Sequence, residues 1–254
     1  MTTQDFDWKQ KYASRLGTAA DAMKLIKPGN SVFIGTGCGQ PQHLVHALVL
    51  HSRHIYDAHI IHLLTVGEAP YAHRQFRDRF KTNSFFVADN VRHALEEGVG
   101  DYTPIFLSDI PRQFESGRIP IDVALIGVSP PNAGGLCSFG VSVDIVKAAC
   151  ANARYVIAQV NQRMPRTMGD SFIHVNQLDV LVPFDEDIRA VPVPATDETL
   201  RRIGQNLARL VDDGSTIELG IGRIPQAMAE FLKNKKELGV HTEMFGDWII
   251  DLIE

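Results

Sequence analysis

Ser31-Val32-Phe33-Ile34-Gly35-Thr36-Gly37-Cys38-Gly39-Gln40-Pro41-Gln42 decides the fold of this chain. Ser31–Ile34 reads as a short buried strand. The glycines after it allow a tight turn, and a helical pattern runs from about Gln42 to Leu50. Strand, glycine loop and helix in that order open an α/β unit. Upstream, Thr18 is placed to cap a helix whose apolar face is Ala19, Met23, Leu25 and Ile26, and Lys27-Pro28-Gly29-Asn30 stops it.

Similar units follow. Ile60–Leu64, Ser84–Val87, Asp101–Leu107, Val123–Val128 and Tyr155–Val160 read as strands, with Pro104 blurring the extent of the third. Val123–Val128 and Tyr155–Val160 are apolar without alternation, as parallel strands covered on both faces must be. Helices such as Val141–Asn152 lie between them. The predicted fold class is α/β, a mostly parallel sheet with flanking helices. From Pro183 to Thr196 the chain turns acidic and proline-punctuated, the texture of a linker.

Beyond that stretch the opening pattern recurs. Gly29, Gly35 and Gly37 are matched by Gly214, Gly220 and Gly222. Pro41-Gln42 is matched by Pro225-Gln226 after a one-residue slip. Helix, glycine, strand, GxG, Pro-Gln and helix thus occur twice in the same order. Val240–Phe245 falls where Ile60–Leu64 falls in the first copy and is expected to be a strand. The domain reading is one complete domain over 1–190, a linker at 191–198, and the beginning of a second, similar domain over 199–254.

Composition narrows the function classes. Of 254 residues, 44% are hydrophobic and 22% charged, which excludes disorder or coiled coil as a whole-chain reading. The apolar runs fall far short of the roughly 20 residues a membrane span needs, and the polar, acidic start is no signal peptide. With a net charge of -5 and scattered Lys and Arg, no nucleic-acid or membrane partner is expected. Cys38, Cys137 and Cys150 form no CxxC pair, which points to a reducing cytoplasm.

The GxG turns at Gly35-x-Gly37 and Gly220-x-Gly222 each precede a helix, whose N-terminus offers free N–H groups to phosphate or carbonyl oxygen. Neither is a dinucleotide fingerprint, because the third glycine is missing. Six of the ten histidines crowd between His43 and His62. Without ligand-like spacing to acids or cysteines they read as packing and solvated residues, so no metal site is expected. Cys38, in a glycine loop before a helix, has no visible His and acid partners for catalysis. Glu243 is unusual, a carboxylate within an apolar strand pattern. Either it faces solvent at a strand end, or it is a positioned nucleophile or base.

Taken together the motifs resemble the acetyl-CoA hydrolase/transferase family, which includes 4-hydroxybutyrate and butyryl CoA-transferases. The matching stretches are Gly35-Thr36-Gly37, Ser129-Pro130-Pro131, Gly140-Val141-Ser142-Val143-Asp144, Asn161 with Met164-Pro165-Arg166-Thr167, and Gly169-Asp170-Ser171 with Ile173-His174-Val175. They continue with Leu219-Gly220-Ile221-Gly222, Ile224-Pro225 and Gly239-Val240-His241-Thr242-Glu243-Met244-Phe245. The resemblance implies two similar α/β domains with an active site between them. It implies Glu243 as the nucleophile that becomes a glutamyl-CoA thioester, and Gly220, Ile221, Gly222, Arg223 and Ile224 as the loop touching CoA. It places Met164, Pro165 and Arg166 along the acyl pocket, with Gly37, Gln40 and Pro41 of the first loop assigned to the same pocket. The chain departs from the family pattern at Arg223, where a small residue is usual, and at Trp248, where the family has glycine.

The expected partners are acyl-CoA and a small carboxylate, with CoA as substrate and no permanently bound cofactor, in a homo-oligomer. Two readings remain open: a CoA-transferase or hydrolase acting through Glu243, or a shortened, non-catalytic remnant or assembly module of such an enzyme.

Overall fold

The computed structural model describes residues 6–51, 53–191 and 195–253, with Asp251 described by its backbone alone. The chain divides into two compact units, Met1–Val191 and Pro192–Glu254.

The first unit is built on seven parallel strands: β1 (Ser31–Ile34), β2 (Ala58–His62), β3 (Phe80–Ser84), β4 (Gly100–Tyr102), β5 (Ile121–Val128), β7 (Ala153–Val160) and β9 (Val180–Pro183). The remaining two, β6 (Leu136–Ser138) and β8 (Phe172–His174), pair antiparallel outside the main sheet. The sheet order is β4-β3-β2-β1-β5-β7-β9. The chain therefore starts in the middle, builds outward to one edge, then crosses back and builds to the other.

Burial explains why these segments are strands. Along β5, Val123 and Leu125 enter one core while Ala124, Ile126 and Val128 enter the other. In β1, Val32 and Ile34 oppose Phe33 in the same way. Helices cover both faces, Gln42–His51 with Leu44, Val45 and Leu48 on one side and Val146–Asn152 with Val146 and Ala149 on the other. Carboxylates tie neighbouring strands together: Asp122 of β5 accepts from the Ser31 N–H of β1 at 2.8 Å, and Asp179, just before β9, from the Val156 N–H of β7 at 2.7 Å.

Several expected boundaries move. The third strand is Phe80–Ser84, not Ser84–Val87. It lies next to the edge strand, so only alternate side chains are buried and Lys81 and Asn83 are tolerated. Asp101–Leu107 shrinks to the three-residue β4, followed by a 3₁₀ turn at Leu107–Asp109. The helix expected from Val141 begins at Val146. The acidic stretch after Pro183 is not a free linker throughout. The Phe184 N–H donates to Val160 O at 3.0 Å, and Glu186 is hydrogen-bonded to Gln42, Gln159 and Asn161. Residues 192–194 of the expected linker, and Met1–Asp5 of the expected polar start, lie outside the described residues.

In the second unit, β10 (Thr216–Ile217) pairs parallel with β11 (Gly239–Val240), and helices Glu198–Ala208 and Arg223–Leu232 pack together. Their approach is close at Gly204, where a Cβ would lie 2.5 Å from the Ala227 carbonyl oxygen. Ala208, Ile217, Leu219, Ala229 and Leu232 form the core. The strand expected over Val240–Phe245 ends at Val240, so Glu243 sits in a bend with its side chain exposed. Among the described residues no helix is long and apolar enough to cross a membrane.

Candidate active site

The chain reverses its direction of sheet-building between β1 and β5. In open parallel sheets, ligands bind outside the carboxyl ends of the strands at such a switch point. Here that place is a crevice lined by Cys38, Gly39, Gln40 and Pro41 after β1, Gly127 of β5, Gln159, Asn161 and Met164 at the end of β7, and Glu186–Arg189 after β9.

The first glycine loop is held from three sides. Gly35 N–H donates to Leu125 O and Gly37 N–H to Leu64 O, both at 2.8 Å. Gly39 N–H donates to Ser142 Oγ at 3.1 Å, and the Thr36 hydroxyl donates to the Asp144 carboxylate. Asp144 keeps exposed surface, yet desolvation of its carboxyl raises its pKa against the lowering effect of the Thr36 hydroxyl and the Ile145 and Val146 N–H groups. Glycine is required at 37, where φ is 53°, and at 127, where a Cβ would sit 2.6 Å from the Gly39 carbonyl oxygen.

Gln40 is buried, and its amide is already used. Nε2 donates to Glu68 O at 3.0 Å and Gln42 Oε1 at 3.1 Å, while Oε1 accepts from Gly67 N–H at 3.4 Å. Gln40 thus fixes the loop after β2, and Pro41 begins the turn into the helix. Met164 is 5% exposed and seated over Gly127 and Gly140, where a Cβ would meet its side chain. Thr167 holds the segment, its hydroxyl donating to Gly140 O at 2.9 Å. Pro165 and Arg166 point elsewhere. They are absent from the crevice lining, and Arg166 donates to Leu136 O at 3.0 Å with its guanidinium over Phe172. The first unit therefore brings Gln40, Pro41 and Met164 into one crevice, whose lining does not include Gly37, Pro165 or Arg166.

The second unit brings the remaining candidates together. The Thr242 hydroxyl donates to Leu219 O at 3.0 Å, and the Leu219 N–H donates to that same hydroxyl oxygen at 3.3 Å. This pair fastens the residue before Glu243 to the residue before Gly220. Gly222 has φ 123° and caps the helix beginning at Arg223, and Gly220–Ile224 are exposed. The first N–H groups of that helix point outward, as at any helix start. Arg223 pairs with Asp197 at 2.9 Å. The Asp197 carboxyl is held below its ordinary value by the Leu200 N–H first and by Arg223 after it. Trp248 does not project freely from the Glu243 segment. Its indole lies over Gly246, where a Cβ would meet Nε1 at 2.6 Å, and packs on the unit's core.

Among the histidines, His43 stacks on Phe184 at 3.7 Å and its pKa is lowered chiefly by burial. His46 pairs with Glu68 at 2.9 Å. Among the described residues no group of three or more His, Cys, Asp and Glu is arranged to hold a metal. Three residues that sequence reasoning did not single out also shape the crevice: Gln159, Glu186 and Arg189. Gln159 carried one signal, an amide in the otherwise apolar end of a strand.

A doubly covered parallel sheet with a crevice at its switch point, and a second unit carrying a glycine loop and a carboxylate, define an α/β protein. Residues 1–194 match the acetyl-CoA hydrolase/transferase N-terminal domain, and the chain belongs to that family. It is 41% identical over 248 residues to 4-hydroxybutyrate coenzyme A transferase of Clostridium kluyveri, covering 98% of this chain and 58% of that one. The crystal structure of 4-hydroxybutyrate CoA-transferase from Porphyromonas gingivalis superposes with a TM-score of 0.82 at 35% identity, covering 97% and 58%. RipA from Yersinia pestis superposes with a TM-score of 0.90 at 28% identity, covering 98% and 60%. The chain spans about half the length of the curated relatives it matches.

Proposed function

We propose that this chain serves acyl-CoA:carboxylate CoA transfer, or the related hydrolysis of acetyl-CoA, through a glutamyl-CoA thioester on Glu243. The observation that carries the reading is the Thr242–Leu219 hydrogen-bond pair, which sets Glu243 beside the Gly220–Ile224 loop. The names of the relatives support the chemistry.

The Glu243 carboxylate attacks the thioester carbonyl of acyl-CoA, forming a mixed anhydride and expelling CoA thiolate. The thiolate then attacks the glutamyl carbonyl, and the acyl group leaves as its free carboxylate. An incoming carboxylate reverses both steps and departs as the new acyl-CoA; in the hydrolase, water takes its place. Each addition passes through a tetrahedral oxyanion that needs preset N–H donors. Gly220, Ile221, Gly222, Arg223 and Ile224, at a helix start, supply such donors or hold the pantetheine arm. Gly37, Gln40, Pro41, Met164, Pro165 and Arg166 are assigned to acyl recognition, Gln40 by shaping the loop.

The same reading takes 1–190 as one domain, 191–198 as a linker and 199–254 as the beginning of a second, similar domain. Support comes from the recurrence of helix, glycine, short strand, GxG turn, helix and parallel strand in the second unit. It further assigns the protein to the cytoplasm as a homo-oligomer.

The test is incubation with acyl-CoA followed by mass analysis of the Glu243 peptide. A CoA thioester on that peptide, lost in Glu243→Ala, is expected. A folded sample with no adduct overturns the assignment and gives this chain a non-catalytic role.

A further inference from the structure

Gln159 is 2% exposed and lines the switch-point crevice. Its Nε2 donates to Glu186 Oε1 at 2.6 Å, and its Oε1 has no hydrogen-bond partner among the described residues. Turning the amide round is no cure, because Oε1 would then face a carboxylate oxygen. A buried carbonyl left in this state costs about 1–3 kcal/mol. Glu186, half-buried in the same lining, makes no ion pair among the described residues. Its Oε1 takes neutral donors only, the Gln159 amide and the Gln42 N–H at 3.1 Å, and its Oε2 takes none. Gly39 O is a third bare acceptor. It presses toward Gly127, the register neighbour of Gln159, and accepts no hydrogen bond among the described residues.

These three acceptors line a hole with room for about one water-sized group. A water donates two hydrogens, so it cannot serve all three, and it leaves the Glu186 charge uncompensated. A dehydrated monovalent cation serves all three and neutralises the carboxylate. A divalent ion brings one charge too many for a single carboxylate, and magnesium keeps several waters that the hole cannot admit. Arg189 also lines the crevice, half-buried, but no carboxylate lies within ion-pair distance of it among the described residues. The neighbouring Asp187 is taken by Arg163.

We propose that the crevice binds one monovalent alkali cation, sodium or potassium, through Gln159 Oε1, Glu186 Oε2 and Gly39 O. The ion joins the first glycine loop to the end of β7 and to the segment after β9. Its binding does not rest on the CoA-transfer reading, and no step of that reaction runs through it.

The experiment is an NMR titration of the whole chain with sodium, potassium or tetramethylammonium chloride, following the Gly39 and Asn161 amides. Chloride and ionic strength are common to the three, and tetramethylammonium is too large for the hole. Sodium or potassium is expected to give saturable shifts that tetramethylammonium does not, and the tighter of the two names the ion. Glu186→Gln keeps an acceptor for the Gln42 N–H but removes the charge. It should weaken binding about tenfold or more, the value of one charge-assisted contact. Gln159→Met keeps the bulk, removes the carbonyl and should weaken binding likewise; if it fails to fold, the salt comparison and Glu186→Gln decide. Arg189→Gln removes a like charge and should leave binding as tight or tighter. Equal shifts in all three salts, or none, or indifference to Glu186→Gln, overturns the proposal and leaves a fixed water in the hole. Weaker binding in Arg189→Gln overturns it in favour of an anion. Glu243→Ala should change none of these affinities, so loss of the thioester adduct and loss of this site are separate results.

Discussion

His62 closes β2 with its ring wholly buried, Nε2 3.0 Å from Ser84 Oγ, Tyr71 edge-on at 6.0 Å and Nδ1 without a hydrogen-bond partner among the described residues. Burial pushes its pKa from 6.5 down to about 4. Between those values the unfolded chain carries the extra proton, so this residue's contribution to stability is intact above pH 6.5 and is lost as pH falls toward 4. At pH 4.5 the loss is roughly 2–3 kcal/mol, taking 1.36 kcal/mol per pKa unit. The perturbation is His62→Gln, which cannot titrate. Only two tryptophans are present. In a Trp248→Phe background Trp8, packed in the first unit's core, reports that unit alone. Urea unfolding at pH 7.5 and 4.5 then gives four stabilities. The difference between parent and variant should shift by roughly 2–3 kcal/mol in favour of the variant at the lower pH. Carboxylates common to both proteins cancel. An unchanged difference at the two pH values would refute a buried neutral His62.

Three further outcomes follow from the packing. Gly127→Ala places a methyl against the Gly39 carbonyl oxygen, and should cost about 1–3 kcal/mol and shift the Gly39 and Met164 amide resonances. Gly204→Ala gains helix propensity of about 1 kcal/mol but collides with the Ala227 backbone. A net loss in the second unit's stability, read from Trp248 fluorescence, is expected, and a gain would show that the helices separate freely. Thr242→Val removes both hydrogen bonds to Leu219 and should slow thioester formation on Glu243 by about tenfold or more, at roughly 1 kcal/mol per bond. An unchanged rate in a quenched mass-spectrometric time course would detach Glu243's placement from that pair.

Much of the scaffold could be read from residues alone. Ser31–Ile34 is a strand with the expected bounds, and Thr18 caps its helix by accepting from the Asp21 N–H. Both rest on local signals: an uninterrupted buried run and a hydroxyl before a helix. The third strand was misplaced for a physical reason. Phe85, Phe86 and Val87 outweigh Lys81-Thr82-Asn83 in hydrophobicity, but next to a sheet edge a strand needs only one buried face. The end of β11 was missed because Met244 and Phe245 look like strand interior. In the fold Met244 is only half-buried and Phe245 is 73% exposed. The crevice was only partly readable. Gln42 and Glu186 meet across 144 positions of sequence, and no local pattern announces such a contact.

The reversal of sheet order also sets a timetable for the nascent chain. β1, β2 and β3 can pair soon after synthesis, but the other side of β1 waits for β5, as the Ser31–Asp122 bond across 91 positions shows. The Glu186 anchor comes later still. Until then β1 keeps one edge of unpaired N–H and C=O groups between apolar side chains, open to wrong partners on other chains. The crevice forms among the last features of the first unit, so a ligand that fits it would act as a folding aid, drawing the late strands onto a half-built sheet.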